Sequence, residues 1–177
     1  MNQEQHGSKE VAVGGTFDPI HDGHRVLLRR AFELGNVTVG VTSDTLAPET
    51  RHMDRYIRSF RVRKSGLEDE LTDLASEFDR EFEVRELTKP TGIATEEQFE
   101  VLVVSRETRG GAERINEIRQ DAGQDPLHIE VVDHVPASDG KRISSTRIAK
   151  GEIDEHGNLT PERTGREMFG AGSENSV

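Results

Sequence analysis

Apolar positions along the chain follow two rhythms, and the alternation between them predicts its elements. The run Val11-Ala12-Val13, closed by Gly14, reads as a first strand. Residues 23–34 then place Val26, Leu27, Ala31 and Leu34 at helical spacing, and Gly35-Asn36 ends that helix. Residues 37–42 are β-rich and nearly continuously apolar, as expected of a strand buried in a parallel sheet. A polar loop over 43–55 leads to a helix over 59–79, whose stripe is Leu67, Leu71, Leu74, Ala75 and Phe78. Residues 82–87 form a third strand, and a loop over 88–97 precedes a fourth over 99–104. Gly110-Gly111 open a helix to about residue 122, with Ile115 and Ile118 inward, and 127–132 is a fifth strand. After a loop over 136–141, the segment 143–148 starts a last short helix.

Strands alternating with helices predict an α/β fold, a Rossmann-like, doubly wound domain with a five-stranded parallel sheet. Its crossovers are right-handed, and ligands bind outside the C-terminal ends of its strands. That rule brings the loop 14–24, the loop after Thr42, the Ser105 loop and the 143–148 segment to one rim. No internal repeat divides the 177 residues. A single domain over 10–153 is expected, with a flexible stretch at 1–9 and a mobile, polar, glycine-bearing tail over 154–177.

Composition narrows the classes. Without cysteine there is no disulfide framework and no thiolate site. No apolar run is long enough for a membrane span, and residues 1–10 lack a signal peptide's hydrophobic stretch, so a cytoplasmic protein is expected, with no membrane partner. A formal net charge of -11 argues against nucleic acid as a partner. Only five of the 23 basic residues are lysines. An acidic, lysine-poor chain suits a high-salt cytoplasm, where self-repulsion is screened, and full folding without KCl would count against that expectation.

The chemistry concentrates in Gly14-Gly15-Thr16-Phe17-Asp18-Pro19-Ile20-His21-Asp22-Gly23-His24. The glycines let the backbone turn sharply after the strand, and Thr16 adds a hydroxyl and an N–H. Asp22 is placed to cap the next helix, whose free N–H groups attract phosphate. His21 and His24 can then face one anion, an arrangement suited to phosphoryl or nucleotidyl transfer. No G-x-x-x-x-G-K-[ST] motif is present, and no G-x-G-x-x-G follows the first strand, so neither a P-loop nor a dinucleotide site is indicated. With no cysteine and no third ligand nearby in sequence, a metal site at the two histidines is disfavoured.

This stretch, together with Ile143-Ser144-Ser145-Thr146-Arg147-Ile148, resembles the HxGH nucleotidyltransferase superfamily. Val103-Val104-Ser105-Arg106-Glu107-Thr108, Gly110-Gly111 and Ile115-Asn116 resemble its archaeal and eukaryotic phosphopantetheine adenylyltransferases. The resemblance covers residues 10–153. It implies transfer of an adenylyl group from ATP to 4′-phosphopantetheine, giving dephospho-coenzyme A and pyrophosphate, with Mg(2+) carried by ATP. It implies that His24 stabilises charge in the transition state with His21 in support. Gly15, Thr16 and Phe17 would line the meeting point of the substrates, with Thr16 and Thr42 on the acceptor side. Ser105, Arg106 and Glu107 would lie near the nucleotide. Ser144, Ser145, Thr146 and Arg147 would serve the triphosphate. The family's usual loop lysine after the second strand is absent. Arg51 is its nearest substitute as catalytic and acceptor-binding cation, with Arg55 and Arg58 behind it, although arginine is not equivalent to lysine. The rival expectations are another acceptor such as FMN or NMN, a CTP-dependent reaction, or a non-catalytic nucleotide sensor, whose HxGH or ISSTxI motif should be damaged. These motifs do not fix the oligomeric state.

Overall fold

The computed structural model describes residues 8–50 and 56–160. Five strands, β1 (Lys9–Gly15), β2 (Gly35–Thr42), β3 (Phe82–Leu87), β4 (Val101–Ser105) and β5 (His128–Val132), form one parallel sheet in the order β3-β2-β1-β4-β5. The order reverses between β1 and β4, which is where such a sheet opens a crevice. Helices α1 (Asp22–Leu34), α2 (Ala47–Thr50), α3 (Phe60–Phe78), α4 (Arg109–Asp121) and α5 (Ser145–Ala149) complete the fold, with a 3-10 turn, Arg106–Thr108, leading into α4.

The inner strands β2, β1 and β4 are largely buried on both faces, as their near-continuous apolar runs require, whereas the edge strands β3 and β5 are mostly half-buried. On one face Val11, Val13, Val37, Val39 and Val41 pack with Leu28 and Phe32 of α1 and Leu67 and Leu71 of α3. On the other, Ala12, Leu102 and Val104 pack with Leu46, Phe99, Ala112 and Ile115. Gly35 ends α1 and begins β2 without a turn between them. Its backbone is extended, so glycine is needed there for space: a Cβ would sit 2.0 Å from the Lys9 carbonyl oxygen.

Several expectations change, beginning with Val26, which helical spacing places on the apolar stripe of α1 and which is exposed. The loop after β2 contains a helical turn, α2, nucleated where Ser43 accepts from the N–H of Leu46 and from Ala47. Strand β4 starts at Val101, because the Phe99 N–H and carbonyl are taken by Glu96 and Arg119. The tail expected to be mobile from Asp154 is packed through residue 160: Ile153 is 1 % exposed, the Asp22 N–H donates to the Glu155 carbonyl, and Ser138 donates to the Gly157 carbonyl. Polar composition hid this because main-chain bonds do most of the anchoring. Residues 161–177 lie outside the described residues. None of the described helices is long and apolar enough to cross a membrane.

Candidate active site

A cleft of about 860 Å³ opens above the C-terminal ends of β1 and β4. Gly15, Thr16, Phe17, His21 and His24 line one wall, Thr42 the β2 side, Ser105 and Glu107 the β4 side, and residues 141–147 the far wall. The four segments that the strand pattern assigned to one rim therefore do share one cavity. In a chain of net charge -11, this cleft gathers Lys141, Arg142 and Arg147 with His21, His24 and His134, against Glu107 and Asp133. Lys141, Arg142 and Arg147 outnumber the two carboxylates there, and a local positive charge of this kind draws polyphosphate.

The histidines form the N-terminus of α1 themselves. His21, not Asp22, is the cap: its Nδ1 accepts from the Gly23 N–H at 3.0 Å, and His24 Nδ1 accepts from the His21 N–H at 3.2 Å. Asp22 instead pairs with Arg25 and His156. The two imidazoles stack with centroids 3.8 Å apart, and Phe17 braces His24 at 4.9 Å. Both Nδ1 atoms are acceptors, so each neutral ring carries its proton on Nε2, the nitrogen left for a ligand. Burial, then the Arg142 and Arg25 charges, push His21 down to about 4, and burial with the His21 neighbour holds His24 well below its ordinary value. Near neutral pH the pair thus offers two uncharged N–H donors.

Gly23 is what the motif needs between them. A Cβ there would lie 2.8 Å from His21 Cε1 and 3.0 Å from Nδ1. At an ordinary helix position Gly→Ala stabilises by up to about 1 kcal/mol. Here Gly23→Ala should bring no such gain and should lower kcat at least about tenfold, because His21 must leave its cap and its stack. Steady-state rates and a thermal melt check both halves.

The same pair sets a pH dependence. An unfolded His21 binds a proton near pH 6.5, whereas the folded one resists until about 4. Between those values the unfolded chain holds more protons, so stability falls as pH drops through the window and is flat in this contribution above it. Urea unfolding across pH 4–7 should show that slope, and His21→Gln should reduce it.

Other expected site residues are placed less uniformly. Ser144 caps α5 by accepting from the Arg147 N–H, and the Ser145 hydroxyl donates to the Pro19 carbonyl at 3.0 Å. That bond ties the two signature motifs together across the cleft mouth. Thr146 lines the cleft, and its hydroxyl has no protein partner among the described residues. Arg147 lines the cleft too, but its guanidinium is committed to Asp139, Glu152 and the Arg142 carbonyl. Glu107 reaches Arg142 at 3.2 Å, whereas Arg106 turns toward Asp133 and does not line the cleft. Asn116 clamps the main chain of Leu127, away from the cavity. Asp18 orders its loop by accepting from the Arg58 N–H and guanidinium, which also occupies Arg58. Arg51 and Arg55 lie outside the described residues.

Sequence reasoning missed two buried arginines. Arg63 in α3 reaches the ends of β1 and β2, and Arg119 in α4 holds the loop that lines the cleft near Ile93. Each sits among charged residues on a mostly polar helix. The one available signal was an arginine at a position a core-facing helical stripe would occupy.

Comparison with known proteins gives this geometry its family. A cytidylyltransferase-like family model matches residues 12–151. A phosphopantetheine adenylyltransferase of Methanosarcina acetivorans is 45% identical over 156 residues, spanning 86% of this chain and 97% of the relative. The chain belongs to the phosphopantetheine adenylyltransferase family. Another family member, from Methanothermobacter thermautotrophicus, is 46% identical over 84% of this chain and 88% of its own. A solved structure from Archaeoglobus fulgidus, described as a protein with unknown function, superposes with a TM-score of 0.62 at 33% identity, covering 76% of this chain and 99% of that one.

Proposed function

We propose that this chain transfers an adenylyl group reversibly from ATP to 4′-phosphopantetheine, giving dephospho-coenzyme A and pyrophosphate, a step of coenzyme A synthesis. The observation that carries the reading is the stacked, neutral His21–His24 pair facing the same cleft as residues 144–146. An oxygen of the acceptor phosphate attacks the α-phosphorus of ATP. The bond from that phosphorus to the bridging oxygen breaks, and its electron pair leaves with pyrophosphate. Charge grows on the non-bridging and leaving oxygens, where fixed N–H donors are worth most.

His24 donates from Nε2 to the transferring phosphoryl, and His21 holds His24 in place. Neither ring has to change protonation. Thr16 and Phe17 border the point where the substrates meet, and the Thr146 hydroxyl, Lys141 and Arg142 receive the triphosphate. Arg51 is the candidate bridging cation from the loop after β2. Magnesium enters with the nucleotide as the MgATP substrate. A cytoplasmic setting goes with these substrates.

The test is a screen of phosphate acceptors with MgATP, read as pyrophosphate release. Turnover with 4′-phosphopantetheine and not with FMN or NMN is the expected result. Turnover only on another acceptor, only with CTP, or ATP binding without turnover on any acceptor would sink the reading.

A further inference from the structure

Arg63 is the largest fully buried side chain among the described residues, 1 % exposed, and it lies beneath the cleft rather than in it. Its Nε donates to the Arg58 carbonyl at 2.7 Å, its Nη2 to Asp44 at 3.0 Å, and its Nη1 to both the Thr16 carbonyl and Thr42 Oγ1 at 3.2 Å. An arginine can only donate. Thr42 Oγ1 is therefore an acceptor in that bond, and its own proton must go elsewhere. Thr42 is 5 % exposed, and among the described residues the one other side-chain oxygen bonded to its hydroxyl is Thr16 Oγ1, at 2.9 Å.

The direction of the chain follows. Thr42 donates to Thr16, so Thr16 Oγ1 accepts, and its own proton is left to point outward. Thr16 is only half buried and lines the cleft beside His24. We infer that Arg63 and Thr42 are positioning residues: they set the polarity of a relay, Arg63 to Thr42 to Thr16, that leaves the Thr16 hydroxyl as a fixed donor to the phosphate at the crossing point. The inference rests on the proposed adenylyl transfer for the identity of that phosphate, and on the hydrogen bonds alone for its direction. It explains why a full positive charge is buried under β1 and β2: only a donor that cannot accept fixes the order of the two hydroxyls.

A double-mutant cycle tests it. Thr42→Val keeps the shape and removes the hydroxyl. It should lower kcat about tenfold, the rate equivalent of one neutral hydrogen bond, while KM for the acceptor stays within about twofold. Thr42→Ser should recover most of the loss. In a Thr16→Val background, Thr42→Val should change kcat less than about twofold, because the relay has no terminus left to orient. Thermal melts of every variant separate packing from orientation. Additive losses in the cycle, or a Thr42→Val variant that melts lower yet keeps its kcat, would overturn the relay. The cycle is run with whichever acceptor releases pyrophosphate, so a wrong acceptor defeats the functional reading and leaves the relay to be decided on its own.

Discussion

Replacing His24 with alanine should lower kcat by about 100- to 1000-fold and leave the KM for ATP within a few fold. The expectation follows from the way the ring is held. Its Nδ1 is occupied by the His21 N–H, one face is stacked on His21 while Phe17 packs against the ring at a tilt, and its Nε2–H is the free donor. Such a donor is pre-aimed before substrate arrives and needs no reorganisation as charge develops. His24→Gln sharpens the test, because glutamine keeps an uncharged N–H of similar reach. If a neutral donor is what matters, His24→Gln should retain about tenfold more activity than His24→Ala. A cationic role would leave the two variants equally poor. Equal losses in kcat and ATP binding would instead reduce His24 to a binding contact.

The largest effect on stability should come from Arg119→Leu. Arg119 is 3 % exposed, and its guanidinium donates to the carbonyls of Asp125, Ala94, Glu96 and Phe99. Leucine would fill much of the space and leave those oxygens without their donor. The cost should be about 3 to 5 kcal/mol, because several buried carbonyls at about 1 kcal/mol or more each lose their donor, and the melting temperature should drop on the order of 10 °C. Chemical denaturation gives the first number and calorimetry the second. The same loop contributes Thr91, Gly92 and Ile93 to the cleft, so the KM for at least one substrate should rise in the folded fraction of the variant. A variant as stable as the parent would mean that the loop holds its shape without Arg119.

Comparing these residues with the chain's periodicity shows what a sequence carries. Strand β3 and helix α3 stand within a residue of where their apolar spacing put them, and Ser59 and Asp79 are the caps of α3. The rim was legible because strand order in an alternating α/β chain leaves few topologies. His21 and His24 were legible as a pair, but their protonation was not: it depends on two backbone N–H groups and on burial, neither of which a motif spells out. Arg147 looked like a phosphate ligand from its place in the motif, yet Asp139 and Glu152 engage it. Arg63 and Arg119 were invisible for the opposite reason. Their charge reads as solvent-facing, while the carbonyls that hold them lie far away in sequence. The ordering of residues 154–160 is likewise tertiary, with Arg25 reaching Asp22, Glu70 and Glu155 at once.

The strand order has a kinetic consequence. Strands β1, β2 and β3 pair with near neighbours in sequence, β1 to β2 across α1 and β2 to β3 across α2 and α3, and can close as one cooperative unit. Pairing β1 with β4 joins Val11 to Val101, so it must wait for a much longer loop to close. The two histidines belong to the early unit, and Ser145, which is bonded to Pro19, belongs to the late one. A refolding chain should therefore regain most of its helix signal before it regains a nucleotide cleft. Under mild denaturant the seam between β1 and β4 should open first, silencing the enzyme while half of its sheet still stands.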